Sequence, residues 1–452
     1  MIGLGPGGEA LATQLATAGL SVVGVDSRLV GGECPYYACI PTKMMIRAAD
    51  TLHAARQVRQ LSGTAEVHAD WAKVAHRISS EATDNWHDGA AVARLERAGV
   101  RFVRGRGRIT APGVVTVSTS DGEVELAASK GIVLNPGTDP AVPDIDGLAG
   151  TPFWTNREAV PATEAPTSLI VLGGGPVGCE FAQLFARFGA EVTVVQSQSR
   201  LLPRAEPEAS ELLAKRFADE KITVHTGAKV TSVRYVDDTF TVSLDGGETL
   251  TAQRLLVATG RRTEVAALGV GVYGLDESAR GIPVDERMRA AGGLWAIGDI
   301  TGKGAFTHMS MYQAPIAAAD ILGTEHPPAA YHAVPSVTFT DPEVGSVGLT
   351  EAEARAAGLT VRTGLTSLAD SSRGFVHGPG NEGLIKVVED AGRGVLVGAT
   401  SVGPTGGEVL SGLAVAVHAA VPTTVLRQMI FAYPTFHRAI ETALTNLLAP
   451  NE

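Results

Sequence analysis

Two short glycine-rich segments, far apart in the chain, constrain its folding more than any other feature. The first is GLGPGG at Gly3–Gly8, followed by a helical run Glu9–Ala18 and the strand SVVGVD ending at Asp26. The second is GGGPVG at Gly173–Gly178, preceded by the apolar strand Ser168–Leu172. A helical run Cys179–Phe188 and a strand ending at Gln196 follow it. Strand, glycine turn, helix and second strand within about thirty residues make the βαβ unit that binds a dinucleotide. The first glycine of each loop (Gly3, Gly173) allows the tight turn, and the second (Gly5, Gly175) lets backbone approach a pyrophosphate. The third (Gly8, Gly178) lets helix and strand pack closely. The phosphate then rests on a helix N-terminus, where free N–H groups attract anions. Two loops predict two dinucleotide sites, in a chain of 452 residues that is too long for one core.

The strand ends separate the two sites. Asp26 is placed to accept hydrogen bonds from an adenosine ribose, whereas the matching position of the second unit holds neutral Gln196. A carboxylate there favours NADH and repels a 2′-phosphate. With Gln196, Ser197 and nearby Arg200 or Arg204, that repulsion is absent, so the second site is read as taking NADPH in preference to NADH.

Composition excludes several classes. A net charge of -11 argues against nucleic acid or an anionic membrane as the main partner. No apolar run reaches the roughly 18 residues of a membrane helix; the most apolar late stretch, Leu410–Val421, carries His418 and is closed by Pro422. No basic n-region or cleavage site opens the chain, and three cysteines cannot form a secreted disulfide framework. A cytoplasmic enzyme is the expectation.

Two of those cysteines fall in GGECPYYACIPTK, Gly31–Lys43. Cys34 and Cys39 are five apart, which in an ideal helix means Cα atoms about 8–9 Å apart, beyond the roughly 7 Å limit for a disulfide. A bridge therefore requires a distorted first turn, which Pro35 suits. A cysteine at a helix N-terminus is expected to have a lowered thiol pKa, as exchange chemistry requires. Zinc half-site and two buried thiols are the rival readings, though no second Cys/His pair stands at workable spacing. Cys179 reads as a small buried hydrophobe.

Taken together the segments resemble the flavin-dependent pyridine nucleotide-disulfide oxidoreductases, over nearly the whole chain. The resemblance rests on Gly31–Lys43, GGGPVGCEFA (Gly173–Ala182), VATGRR (Val257–Arg262), LWAIGDI (Leu294–Ile300), Pro335–Glu351 and a late YPT (Tyr433–Thr435). It implies an α/β fold of two Rossmann-like (doubly wound) nucleotide-binding domains plus a C-terminal α+β dimerisation domain. The implied segments are an FAD domain at 1–147 and 268–332, an NAD(P) domain at 148–267 and an interface domain at 333–452. It also implies that Cys39 lies against the flavin, that Cys34 is the outer thiol, and that Lys43 pairs with Glu180 beside the flavin. Asp299 would bind the FAD ribityl chain and Gly107 would lie near the adenine, with Gly32, Gly137 and Gly260 as further cofactor-contacting turns. The implied enzyme is a homodimer acting in cell redox homeostasis. It reduces a small disulfide or other electrophile; a quinone or dye reductase using flavin directly and a flavin-bound redox sensor are the alternatives.

Four departures matter. Where the family carries a His before Pro-Thr and a bracing Glu five residues later, this chain has Tyr433 and Arg438. His437 and Glu441, four apart on the next helix, could supply a displaced His–carboxylate pair. Mercury reduction is not expected, because the ending LTNLLAPNE contains no cysteine pair. Only Met1 and Ile2 precede the first glycine loop, so the true start is expected upstream or the chain to be a shortened one. Finally, the usual ATG at the domain crossing is NPG, Asn135–Gly137, where no functional change is expected.

Overall fold

The computed structural model describes residues 1–447, and the C-terminal residues of LTNLLAPNE beyond Leu447 lie outside them. The chain divides into two compact units. One comprises Met1–Thr42, Ala75–Ala141 and Arg261–Tyr331; the other comprises Lys43–Val74, Val142–Gly260 and the segment from His332.

In the first unit the parallel pair Val22–Asp26 and Val100–Arg104 continues, through Ile2, to strands Ile132–Leu134, Leu294–Ala296 and Arg289–Ala291. Ile2 bridges Val25 on one side and Leu134 on the other, so Met1–Gly3 occupy the central strand position. The helix behind the first loop spans Pro6–Thr17 and the matching one in the second unit spans Pro176–Arg187. Both begin three residues before the sequence reading places them. The Gly-Pro dipeptide reads as a turn, but glycine at the N-cap and proline at N1 also open a helix, since proline's missing N–H is unpaired there anyway. Leu11 and Leu15 pack with Val133, Trp295 and the alanines of helix Thr307–Leu322.

The second unit contains the parallel sheet Thr223–Thr226, Glu191–Gln196, Ser168–Leu172 and Arg254–Val257, in that order. It also holds a five-stranded antiparallel sheet from Pro335 to Gly403, on which Gly406–His418 and Ala439–Asn446 pack. The apolar stretch Leu410–Val421 is therefore mostly a core helix with Leu410, Leu413 and Val417 buried. Among the described residues no helix is long and apolar enough to cross a membrane.

Arg187, buried at the end of its helix, ties these parts together. It reaches Asp50 at 2.6 Å, Glu220 at 2.7 Å and Asp341 at 2.6 Å. His53 lies beside Glu220 and Asp341 with the spacing of metal ligands, but the guanidinium already engages both carboxylates, so the group is an ion-pair hub.

Candidate active site

The glycine loops show why each position lacks a side chain. Gly3 and Gly173 have φ of +91° and +108°, which favour glycine. A Cβ on Gly8 would collide with the carbonyl oxygen of Gly3, and one on Gly178 with that of Gly173. Gly175, in contrast, faces open space, so the cradle a phosphate requires is left free in the second loop. In the first loop the nearest group to a Cβ on Gly5 is the Asn135 side-chain amide at 3.5 Å. The buried Asn135 amide also lies against Gly8 and Gly298.

Asp26 ends its strand with Oδ2 accepting from Leu4 N and Oδ1 from Arg28 N, both at 2.8 Å. Burial raises its pKa above the usual carboxylate range, opposed by those N–H groups. A carboxylate retains further lone pairs for ribose hydroxyls. Beside it a cavity of about 130 Å³ is lined by Gly3, Asp26, Gly107 and Gly137. Its glycines and the Asp26 carboxylate at the strand end would fit the adenosine end of FAD.

Gly31 and Gly32, at φ +106° and +70°, turn the chain into a short helix Glu33–Tyr36. The helix breaks at Tyr37–Ala38 and restarts as Cys39–Arg56. This break replaces the ideal spacing and brings the cysteines together. Both sulfurs are half-buried, and Cys34 hydrogen-bonds Cys39. The Cys34 thiol is pushed up rather than down, first by its bond to Cys39 and then by burial, with Thr307 opposing. The expected lowering at a helix N-terminus is not found for Cys34, whose helix has four residues and whose thiol bonds another sulfur. Two coupled thiols lose their protons in separate steps. Thr307, whose Oγ1 is 3.4 Å from Cys39 Sγ, is a site residue that sequence reasoning missed. It lies 268 positions away in the chain, at the start of an ordinary apolar helix.

A polar chain runs on from Cys34's neighbour. Arg261 donates to Glu33 Oε2 at 2.8 Å and to Thr138 Oγ1 at 2.6 Å. Thr138 in turn donates to Asp299 Oδ2 at 2.8 Å. Burial raises the Asp299 pKa, while Thr138 and Arg261 pull it down.

In the second unit Lys43 Nζ donates to Glu180 Oε2 at 2.7 Å and sits 4.7 Å from the centre of the Phe339 ring. Glu180, 7% exposed, accepts from Phe339 N at 2.9 Å through its other oxygen. The helix Cys39–Arg56 carries Cys39 and Lys43 four residues apart, about 6 Å along its axis. Cys179 is fully buried, which pushes its thiol pKa up. Gly260, at φ +130°, has nothing near its missing Cβ.

Two expected arrangements are not formed. Arg200 does not extend toward a phosphate: its Nη2 bonds the carbonyls of Pro203 and Ala205, while the Gln196 amide reaches Arg200 O at 3.4 Å. Exposed Arg204 is the remaining cation. Nor do His437 and Glu441 pair. Phe436–Arg438 is a 3₁₀ turn, in which residues three apart eclipse. Glu441 accordingly meets Arg438 at 2.9 Å, and His437 contacts Thr435 at 3.4 Å. Tyr433 is 69% exposed, with Arg438 5.8 Å from its ring.

Residues 1–319 match the family described as pyridine nucleotide-disulphide oxidoreductase, and residues 334–444 match its dimerisation domain. The chain is 33% identical over 456 residues to a dihydrolipoyl dehydrogenase of Chlorobaculum tepidum, across 99% of this chain and 96% of that one. It is 32% identical over 457 residues to a mercuric reductase of Streptomyces lividans, across 98% and 94%. Among solved structures, LpdA from Mycobacterium tuberculosis superposes with a TM-score of 0.87 at 26% identity, covering 99% of each chain. The HOCl-induced flavoprotein disulfide reductase RclA from Escherichia coli gives 0.83 at 26% identity, covering 98% of each.

Proposed function

The chain belongs to the pyridine nucleotide-disulphide oxidoreductases, and from that premise we propose that it carries electrons from NAD(P)H through Cys34 and Cys39 to a small disulfide. It is a flavin-dependent disulfide oxidoreductase, of a family that uses FAD and NAD(P)H. The observation that carries the proposal is the hydrogen-bonded thiol pair at a helix break.

Flavin, when bound, supplies the exchange between two-electron hydride and dithiol chemistry. The Cys34 thiolate attacks one sulfur of the acceptor, displacing a thiolate and forming a mixed disulfide. Cys39 then attacks Cys34, releasing the second thiolate and closing the Cys34–Cys39 bond; NAD(P)H supplies the two electrons that reopen it. Lys43 holds a positive charge where negative charge develops, and Glu180 fixes its position. Gly3, Gly5, Gly8, Asp26, Gly32, Gly107, Gly137 and Asp299 would hold FAD in segments 1–147 and 268–332. Gly173, Gly175, Gly178, Gln196 and Gly260 would hold the nicotinamide cofactor in 148–267.

The interface domain, 333–452, would pair two copies, bringing Tyr433 and His437 to the partner's Cys34. Exposed apolar residues in it, Ile430 at 99% and Phe375 at 85%, support that reading. Anaerobic titration with dithionite tests the core assignment. Uptake of four electrons per chain is expected, with a long-wavelength band midway; uptake of two without the band would overturn it.

A second reading, direct reduction of a quinone, is favoured by one observation. Tyr433 and Arg438 stand at the family's His and Glu positions, and Glu441 is committed to Arg438. Quinones demand less proton management than thiolates.

The preference for NADPH rests on Gln196, with Arg204 as the cation available to a 2′-phosphate. Gln196→Glu should lower the NADPH/NADH ratio of kcat/KM about tenfold or more, as a carboxylate beside a phosphate would. An unmoved ratio would place the 2′ position elsewhere.

A further inference from the structure

The segment carrying Cys34 is held at two points by a strained turn. Three consecutive non-glycine residues, Asp84, Asn85 and Trp86, have φ of 47°, 53° and 57°. They follow a π turn at Ile78–Ala82. The conformation is over-determined: Thr83 Oγ1 donates to Ile78 O at 3.0 Å, Asn85 N to Ser79 O at 2.6 Å and His87 N to Asp84 O at 3.0 Å. Left-handed runs of ordinary residues and π turns both concentrate at functional sites.

The turn delivers two groups to one target. The Trp86 indole N–H donates to Tyr36 O at 3.1 Å, and its ring lies 6.3 Å from that of Tyr37. Buried Asp88 accepts from Val30 N at 2.7 Å and is paired with Arg104. Val30 and Tyr36 bracket Gly31–Pro35, with Cys34 between them. Tyr36 closes the four-residue helix, so its carbonyl has no helical successor to bond.

We propose that the Asp84–Asp88 turn is a clamp on the Cys34 backbone, with Trp86 as a positioning residue that sets the dithiol–disulfide equilibrium. This rests on the redox reading of the pair. Opening the Cys34–Cys39 bond consumes two electrons, from NAD(P)H, and two protons, giving two thiols. A clamped backbone keeps the sulfurs adjacent in the dithiol state, so closure costs little ordering and the disulfide is favoured. Without the clamp the open form gains freedom that the closed form cannot.

The test uses FAD-loaded Trp86→Phe, which keeps a ring and loses the donor, and Asp88→Asn at the other end. The couple's potential is measured against dithiothreitol buffers, with iodoacetamide alkylation of Cys34 in NADPH-reduced enzyme. A five- to tenfold shift toward the dithiol is expected; tenfold corresponds to about 30 mV for a two-electron couple. Cys34 should also be alkylated faster. A variant that melts earlier but keeps the wild-type potential and alkylation rate overturns the clamp. Two-electron uptake by the unaltered enzyme would instead remove the redox reading itself.

Discussion

Cys34→Ser abolishes NAD(P)H-driven reduction of disulfides, by about a thousandfold or more, while quinone and dye reduction stay within about twofold of the unaltered enzyme. The reasoning is chemical. A serine hydroxyl, with a pKa far above that of a thiol, supplies no nucleophile for exchange at neutral pH, and the mixed disulfide cannot form. On the proposed roles, electron delivery from the nicotinamide would depend on Lys43, Glu180 and the two glycine loops, none of which the substitution touches. The Cys34 side chain is half-buried and bonded to Cys39, so replacing sulfur with oxygen leaves packing nearly unchanged. Steady-state assays with both acceptor classes on one preparation decide the matter. If the native acceptor is still reduced at full rate, electrons leave from the flavin and the second reading replaces the first. Cys39→Ser is the companion: it should stop turnover too, yet leave Cys34 able to form a trapped mixed disulfide.

Arg187→Met should destabilise the fold by about 3–5 kcal/mol, the cost of breaking a buried pair and leaving carboxylates without a counter-charge. The side chain is 2% exposed and faces Asp50, Glu220 and Asp341. Removing it leaves three carboxylates and His53 facing one another. The loss should grow with pH. Burial already lifts Asp50 to about 6, against the pull of Arg187. A raised folded value means that its contribution is fully present below its unfolded value and lost as pH rises through about 6. Without the guanidinium that window moves further up. Urea denaturation at pH 5 and pH 8 checks the prediction: a variant equally stable to the parent at both would show that the hub carries no net stability. Arg187→Lys should recover part of the loss, since one ammonium cannot match three partners with guanidinium geometry.

How much of this was legible in the chain depends on the range over which each feature acts. The glycine loops, their helices and the following strands are local, because backbone sterics and the orphan N–H groups of a helix start act within a few residues. The sequence alone therefore determined two nucleotide folds, the strand-end difference between Asp26 and Gln196, and that a Cys34–Cys39 bridge requires an irregular helix start; the break at Tyr37–Ala38 came from the structure. The family resemblance named Lys43 and Glu180, although 137 residues separate them.

What only the tertiary structure decided is what meets across the chain. Thr307 at the dithiol, Asn135 inside the first loop and Trp86 on the Tyr36 carbonyl carry no local signature. The folding back of Arg200 and the claim of Arg438 on Glu441 depended on turn geometry that four-residue periodicity does not resolve. Periodicity reports which face a side chain occupies; which partner takes its charge or its hydrogen bond is settled only when desolvation forces every buried polar group to find one.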